Sequence, residues 1–167
     1  YHLWTGKADA AGVIVDSLSP LFKKAPVHSL AQLMWFSAEA LYSVYTAQYQ
    51  RGLAAITEGL AIAESTGIHM LDIMFLGKGI YHSLATGDVK KAEDFLRKME
   101  AGMKATSCFV KTYYHHMASL LAMHRTDFPS AIQHAEICLT FCREAGFPFS
   151  TAIHQYAMAN ILFWAGK

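Results

Sequence analysis

Apolar residues return along this chain at intervals of three and four, and short turns interrupt them at an almost constant spacing. After Ala92 the apolar side chains are Phe95, Leu96, Met99 and Met103, and after Ala11 they are Ile14, Val15, Leu18 and Phe22. After Ala131 a looser row runs His134, Ala135, Cys138 and Cys142. Such spacing puts side chains on one face of a helix with 3.6 residues per turn. The opposite face is charged, most clearly at Lys90, Lys91, Glu93, Asp94, Arg97, Lys98 and Glu100, where Asp94 and Lys98 stand four apart. No stretch alternates with period two for long enough to make a strand. The pattern predicts a helix over 8–24 preceded by a stub at 1–5, then 28–46 with 50–66, 69–86 with 89–105, 108–125 with 129–145, and a last helix from 149.

The interruptions repeat. A turn residue stands at Gly6, Ala47, Gly87, Thr126 and Gly166, with differences of 41, 40, 39 and 40. A small residue opens the following helix at Ala11, Gly52, Ala92 and Ala131, with differences of 41, 40 and 39. Gly67 and Gly146 suit left-handed C-caps, and Pro148 follows two residues after the second. Asp127 can cap the next helix, with Pro129 in a first turn that lacks no donor. Small residues also recur in the first helices at Ala40, Ser119 and Ala159, with Ile80 breaking the rule. A hairpin with apolar residues on more than one side cannot close its own core, so neighbours must stack on it. The expectation is an all-α solenoid over 1–167, read as one repeat domain of about four hairpins with truncated ends.

Composition narrows the function. Hydrophobic residues make up 53% and charged ones 16%, which excludes a disordered chain. Lys plus Arg is 14 against 13 for Asp plus Glu, a net charge of +1, so no basic footprint for nucleic acid is expected. No apolar run approaches the roughly 20 residues of a membrane span. Three cysteines suit a reducing compartment, and a cytoplasmic location is expected. The chain opens without Met and closes on Trp164-Ala165-Gly166-Lys167, inside an apolar run. That suggests a segment of a longer protein whose spare faces favour self-association.

Two-helix repeats with small residues near a Gly-Asp turn resemble the tetratricopeptide superfamily. The period of 39–41 exceeds the standard 34, and the Trp-Leu-Gly-Tyr signature with its closing Pro is absent. The segments Gly59-Leu60-Ala61-Ile62-Ala63-Glu64-Ser65-Thr66-Gly67 and Ala85-Thr86-Gly87-Asp88 through Ala92 resemble the sensor region of MalT-type, LuxR-family ATP-dependent transcription activators. The resemblance implies a right-handed superhelix between an NTPase module and a DNA-binding module, binding an inducer and serving autoinhibition or self-association. This chain has no Gly-x-x-x-x-Gly-Lys-Ser/Thr loop, so no ATPase or DNA-binding residue carries over. The expectation is a non-enzymatic sensor or interaction segment. The alternative is a general protein–protein scaffold with no small ligand.

One face of the first helices carries the candidate binding row. Counting back from the small residues, Trp35, Phe75, Tyr114 and His154 share one position, and Gln32, Asp72 and Lys111 another. Tyr42, His82 and Leu121 share a third, and Glu39 and Lys78 lie between. In tetratricopeptide-like superhelices this face lines the concave groove, where aromatic rings and polar tips suit a small inducer or a peptide. The other reading is that Trp35, Phe75 and Tyr114 pack repeat on repeat. Asp72, Lys78 and Lys111 are expected at the surface, because burying a lone charge is costly. His134, Cys138 and Cys142 stand at i, i+4 and i+8, which spans about 12 Å along a helix and is too far for one ion. No base is placed to activate Cys108, Cys138 or Cys142. No catalytic residue, metal or cofactor is therefore expected.

Overall fold

The computed structural model describes residues 2–3, 5–24, 28–103, 107–146 and 148–167, and among them it contains eight helices and no strand. They are α1 (Ala8–Lys24), α2 (Ser29–Tyr45), α3 (Tyr49–Thr66), α4 (Asp72–Ala85), α5 (Val89–Ala101), α6 (Cys108–His124), α7 (Phe128–Glu144) and α8 (Pro148–Trp164). The chain is all-α, and most helix ends fall within a residue or two of the expected ones. The expected stub is not a helix where it is described. His2, Leu3 and Thr5 lie in a turn, and Tyr1 and Trp4 fall outside the described residues. Helix α4 begins at Asp72 rather than at residue 69, because His69 precedes the helix and its Nδ1 lies 2.9 Å from Asp72 Oδ2.

The turns explain why the helices stop where they do. Gly6, Ala47, Gly87, Thr126 and Gly166 all have positive φ, from 54° at Ala47 to 78° at Gly87. The C-caps Gly67 and Gly146 do too, at 70° and 66°. Four of the five repeated turns close with the same pair of bonds. At the second, Gln48 N donates to Ser43 O and Ala47 N to Val44 O; at the fourth, Asp127 N donates to Ala122 O and Thr126 N to Met123 O. This pairing satisfies the last carbonyls of the outgoing helix and sends the chain back antiparallel. The incoming helices are capped in turn. Asp88 accepts from Lys91 N at 3.0 Å and Asp127 from Ser130 N at 3.2 Å.

The chain divides into two compact units, residues 1–86 and 87–167. In the first, α1 packs on α2, α2 on α3 and α3 on α4, and α2 also touches α4. Its core centres on Leu33, Ala40, Ile56, Phe75 and Ile80, none with any exposed surface. In the second, α5 packs on α6, α6 on α7 and α7 on α8, around Ala92, Met99, Ala131, Cys142 and Ile161. The small residues Ala11, Gly52, Ala92 and Ala131 are all buried, as close helix approach requires. Among the described residues, no helix is long and apolar enough to cross a membrane.

Candidate functional site

In the first unit, α1, α2 and α3 line a half-open cavity of about 480 Å³, walled by Phe22, Gln32, Phe36, Glu39, Arg51, Ala54, Ala55, Glu58 and Ile62. Its polar centre is a bridge across the α2–α3 hairpin. Arg51 Nε donates to Glu39 Oε1 at 2.9 Å, and Arg51 Nη2 reaches Asp16 Oδ1 on α1 at 3.1 Å. The guanidinium also lies over the Tyr42 ring, 5.4 Å from its centroid. Glu39 is 2% exposed, so its carboxylate meets the guanidinium in the interior rather than in solvent. Burial pushes the Arg51 pKa down, but bonds and charge from Glu39 and Asp16 outweigh it and hold the group above its ordinary value. The result is a concave, mostly apolar site with one anchored cation and two carboxylates, a composition that suits a small ligand with a polar end.

Most of the expected binding row lies in the interior. Phase and spacing put it on one face, and that face packs against the preceding helix. Phe75 is fully buried over Gly59, where a Cβ would run into the Phe75 ring. His82 is fully buried over Gly52, where a Cβ would strike the imidazole. Tyr42 sits over Gly12, whose Cβ would come within 2.8 Å of the phenol oxygen. Trp35 is buried and stacks on Phe22 at 4.9 Å. His82 Nε2 lies 3.1 Å from Ala40 O; a carbonyl only accepts, so that nitrogen carries the proton. Burial and the Lys78 charge lower the His82 pKa, so the ring is neutral near pH 7.

Lys78 corrects an expectation. The cost of burying a lone charge predicts a surface position, yet Lys78 is 8% exposed. Its ammonium donates to Ser37 O at 2.8 Å and Ser37 Oγ at 2.6 Å, which replaces part of the lost hydration. Burial still pushes its pKa down to about 8. Asp72 is half-buried beside His69, and Lys111 is half-buried with its ammonium 5.6 Å from the Phe141 ring centroid.

In the second unit the corresponding face is crowded with rings. Tyr114 is buried and meets His115 edge-on at 5.1 Å. His115 Nδ1 lies 2.9 Å from His134 Nδ1, and His115 stacks on Phe141 at 5.9 Å. His134 thus faces α6, away from the association with Cys138 and Cys142 that its spacing on α7 had raised. His154 from α8 takes that place. The ligand atoms of Cys138, Cys142 and His154 all lie within 4.8 Å of one another, and all three residues are buried. His116 from α6 lies against the His154 ring at 4.7 Å. Burial, and then the charge of His154, push the His116 pKa down to about 4. Burial pushes the Cys138 thiol up to about 12, so it is a thiol rather than a nucleophilic thiolate near neutral pH.

Sequence reasoning found Gln32 and Glu39 but missed Arg51, Glu58 and the cavity wall from α1 and α3. Arg51 carried no distinguishing signal, since Lys91 stands in the same place before Ala92 in the next copy of the turn-and-helix element. It also missed the meeting of His154 with the cysteines, which belongs to the α7–α8 hairpin rather than to one helix. No known protein-family model matches this chain, and no curated protein is significantly similar to it.

Proposed function

We propose that this chain is a non-catalytic, ligand-sensing segment of a bacterial transcription regulator, cytoplasmic and built as a tetratricopeptide-like right-handed superhelix. The reading rests on the 40-residue recurrence of turns and on the resemblance of residues 59–67 and 85–92 to the sensor regions of MalT-type, LuxR-family activators. The single observation that carries it is the 480 Å³ cavity with the Glu39–Arg51 pair at its centre. Its size lies within the range of small-molecule sites, roughly 300–1,000 Å³. Ligand binding there favours one packing of α1 against the α2–α3 hairpin, and the rest of the regulator responds to that population shift. The test is calorimetric titration of the chain with panels of small polar metabolites and short peptides. Saturable binding that Arg51→Met abolishes is the expected result. Binding that ignores Arg51→Met and Glu39→Gln contradicts the assignment of the site.

A second reading, an interaction scaffold without a small ligand, is favoured by α8. That helix exposes Phe149, Tyr156, Phe163 and Trp164, at 69%, 73%, 73% and 66%. Exposed aromatics of this size mark contact surfaces in soluble chains. Loss of partner or self-association on Tyr156→Ser with Phe163→Ser, together with an empty ligand screen, would favour it.

A further inference from the structure

The two units place different chemistry at equivalent positions. Counting 79 residues on from Gly59, Ala63 and Phe75 in the first unit arrives at Cys138, Cys142 and His154 in the second. The same step relates the turns Ala47 and Thr126 and the small residues Gly52 and Ala131. In the first unit the trio is apolar packing, with the Phe75 ring lying in the space left by Gly59. In the second, all three positions carry soft nitrogen and sulfur donors, and they too meet.

We propose that Cys138, Cys142 and His154 form a binding site for a thiophilic divalent cation, zinc above all. The donors lie within 4.8 Å of one another. A tetrahedral zinc with Zn–S near 2.3 Å and Zn–N near 2.1 Å holds its donors about 3.5–3.8 Å apart, so a contraction of about 1 Å completes the site. Side-chain rotation on two packed helices supplies that. The cysteines stand one turn apart on α7, and α8 brings the histidine across the hairpin.

Packing alone accounts for two small thiols, since buried cysteine behaves as a small hydrophobe. It does not account for the histidine. His154 is 8% exposed, and its Nδ1 is buried without a hydrogen-bond partner among the described residues. A buried polar nitrogen left unpaired is costly, and phenylalanine fills the equivalent place in the first unit without that cost. The thiols have only weak contacts to give up. Cys138 Sγ donates to Thr112 O at 3.4 Å, and Cys142 Sγ lies 3.5 Å from Ser150 Oγ. With the thiols ionised on a metal, Ser150 can turn to donate to the Cys142 sulfur as an outer-shell partner. The hydroxyl of Thr112 is also buried without a partner among the described residues. A water is the source of a fourth ligand.

The experiment uses the whole chain, reduced and stripped of metal, titrated with zinc and separately with cobalt(II). The expected result is one ion per chain, a thiolate-to-cobalt charge-transfer band with tetrahedral d–d bands, and a melting temperature that rises with zinc. Cys142→Ala, which installs the residue the first unit has at Ala63, and His154→Leu should each weaken binding by at least the roughly 10–100-fold that loss of an outer-shell partner causes. Cys108→Ala removes the exposed thiol and should leave binding intact. Folding of each variant is read from its helical circular dichroism. A folded wild-type chain with neither the charge-transfer band nor a zinc-dependent melting temperature overturns the proposal. So does binding that survives unchanged in folded Cys142→Ala and His154→Leu.

Discussion

The two units share a plan, a helix followed by a hairpin and a further helix, but they fill it with opposite choices of large and small. In the first, glycines at 12, 52 and 59 receive Tyr42, His82 and Phe75. In the second, Ala131 and Ile161 belong to one apolar cluster at the positions equivalent to Gly52 and His82. The exchange runs the other way at the cavity. Gln32, Phe36, Ala55 and Ile62 leave open space in the first unit, whereas their equivalents Lys111, His115, His134 and Phe141 are in mutual contact. A repeat therefore fixes where side chains meet but not which chemistry meets there. One frame leaves a cavity beside a packed ring, and the other leaves a filled face beside a cluster of sulfur and nitrogen donors.

The largest expected difference is at the aromatic position itself. Phe75→Ala should cost about 3–5 kcal/mol in urea unfolding, the usual range for emptying a fully buried aromatic site. His154→Leu in the metal-free chain should cost less than about 1.5 kcal/mol, because it keeps most of the volume and removes an unpaired nitrogen. Equal losses at the two sites would break the comparison.

Next comes the glycine contact. Gly52→Ala should destabilise by about 1–3 kcal/mol through overpacking against His82, although alanine is the better helix former. Gly52→Ala combined with His82→Ile installs the second unit's pair and should recover most of the loss. The coupling is read from a double-mutant cycle.

Acid should then act on the first unit through His82. Its folded pKa is lowered by burial and by Lys78, so the unfolded chain takes up a proton first as pH falls below about 6.5. Its contribution to stability is present above that pH and is lost below it. Stability measured from pH 7.5 to 5 should fall, and His82→Ile should reduce the slope without abolishing it, since His115, His116, His134 and His154 also have lowered pKa values.

The turn pattern was legible because it rests on backbone geometry. Gly6, Gly67, Gly87, Gly146 and Gly166 occupy a conformation that glycine enters freely, and spacing then identified Ala47 and Thr126 as their equivalents. Both residues do adopt positive φ. The helix faces were legible from period alone. What a face packs against was not. Tyr42, Phe75 and His82 are admitted by glycines that lie 16–30 residues away on other helices. Lys78 was misplaced for a related reason, because its compensating acceptor is a backbone carbonyl, and every residue has one. The cavity escaped because it is a property of three helices at once.

The smallest expected effect follows from those turns. Thr126 holds φ at 58°, an unfavourable conformation for a β-branched residue, so Thr126→Gly should stabilise the chain by about 1 kcal/mol, and Ala47→Gly by somewhat less.

Equivalence of the two units is tested most directly by transplanting one trio into the other and measuring urea unfolding of the metal-free chain. His154→Phe alone should lose about 1–3 kcal/mol by driving a larger ring onto Cys138. Adding Cys138→Gly and Cys142→Ala reproduces the Gly59–Ala63–Phe75 arrangement and should restore cooperative unfolding to within about 1 kcal/mol of the parent, the cost of glycine within a helix. A triple variant no more stable than His154→Phe alone would show that the positions are not equivalent, and the account of this molecule as a forty-residue repeat with exchanged chemistry would fail.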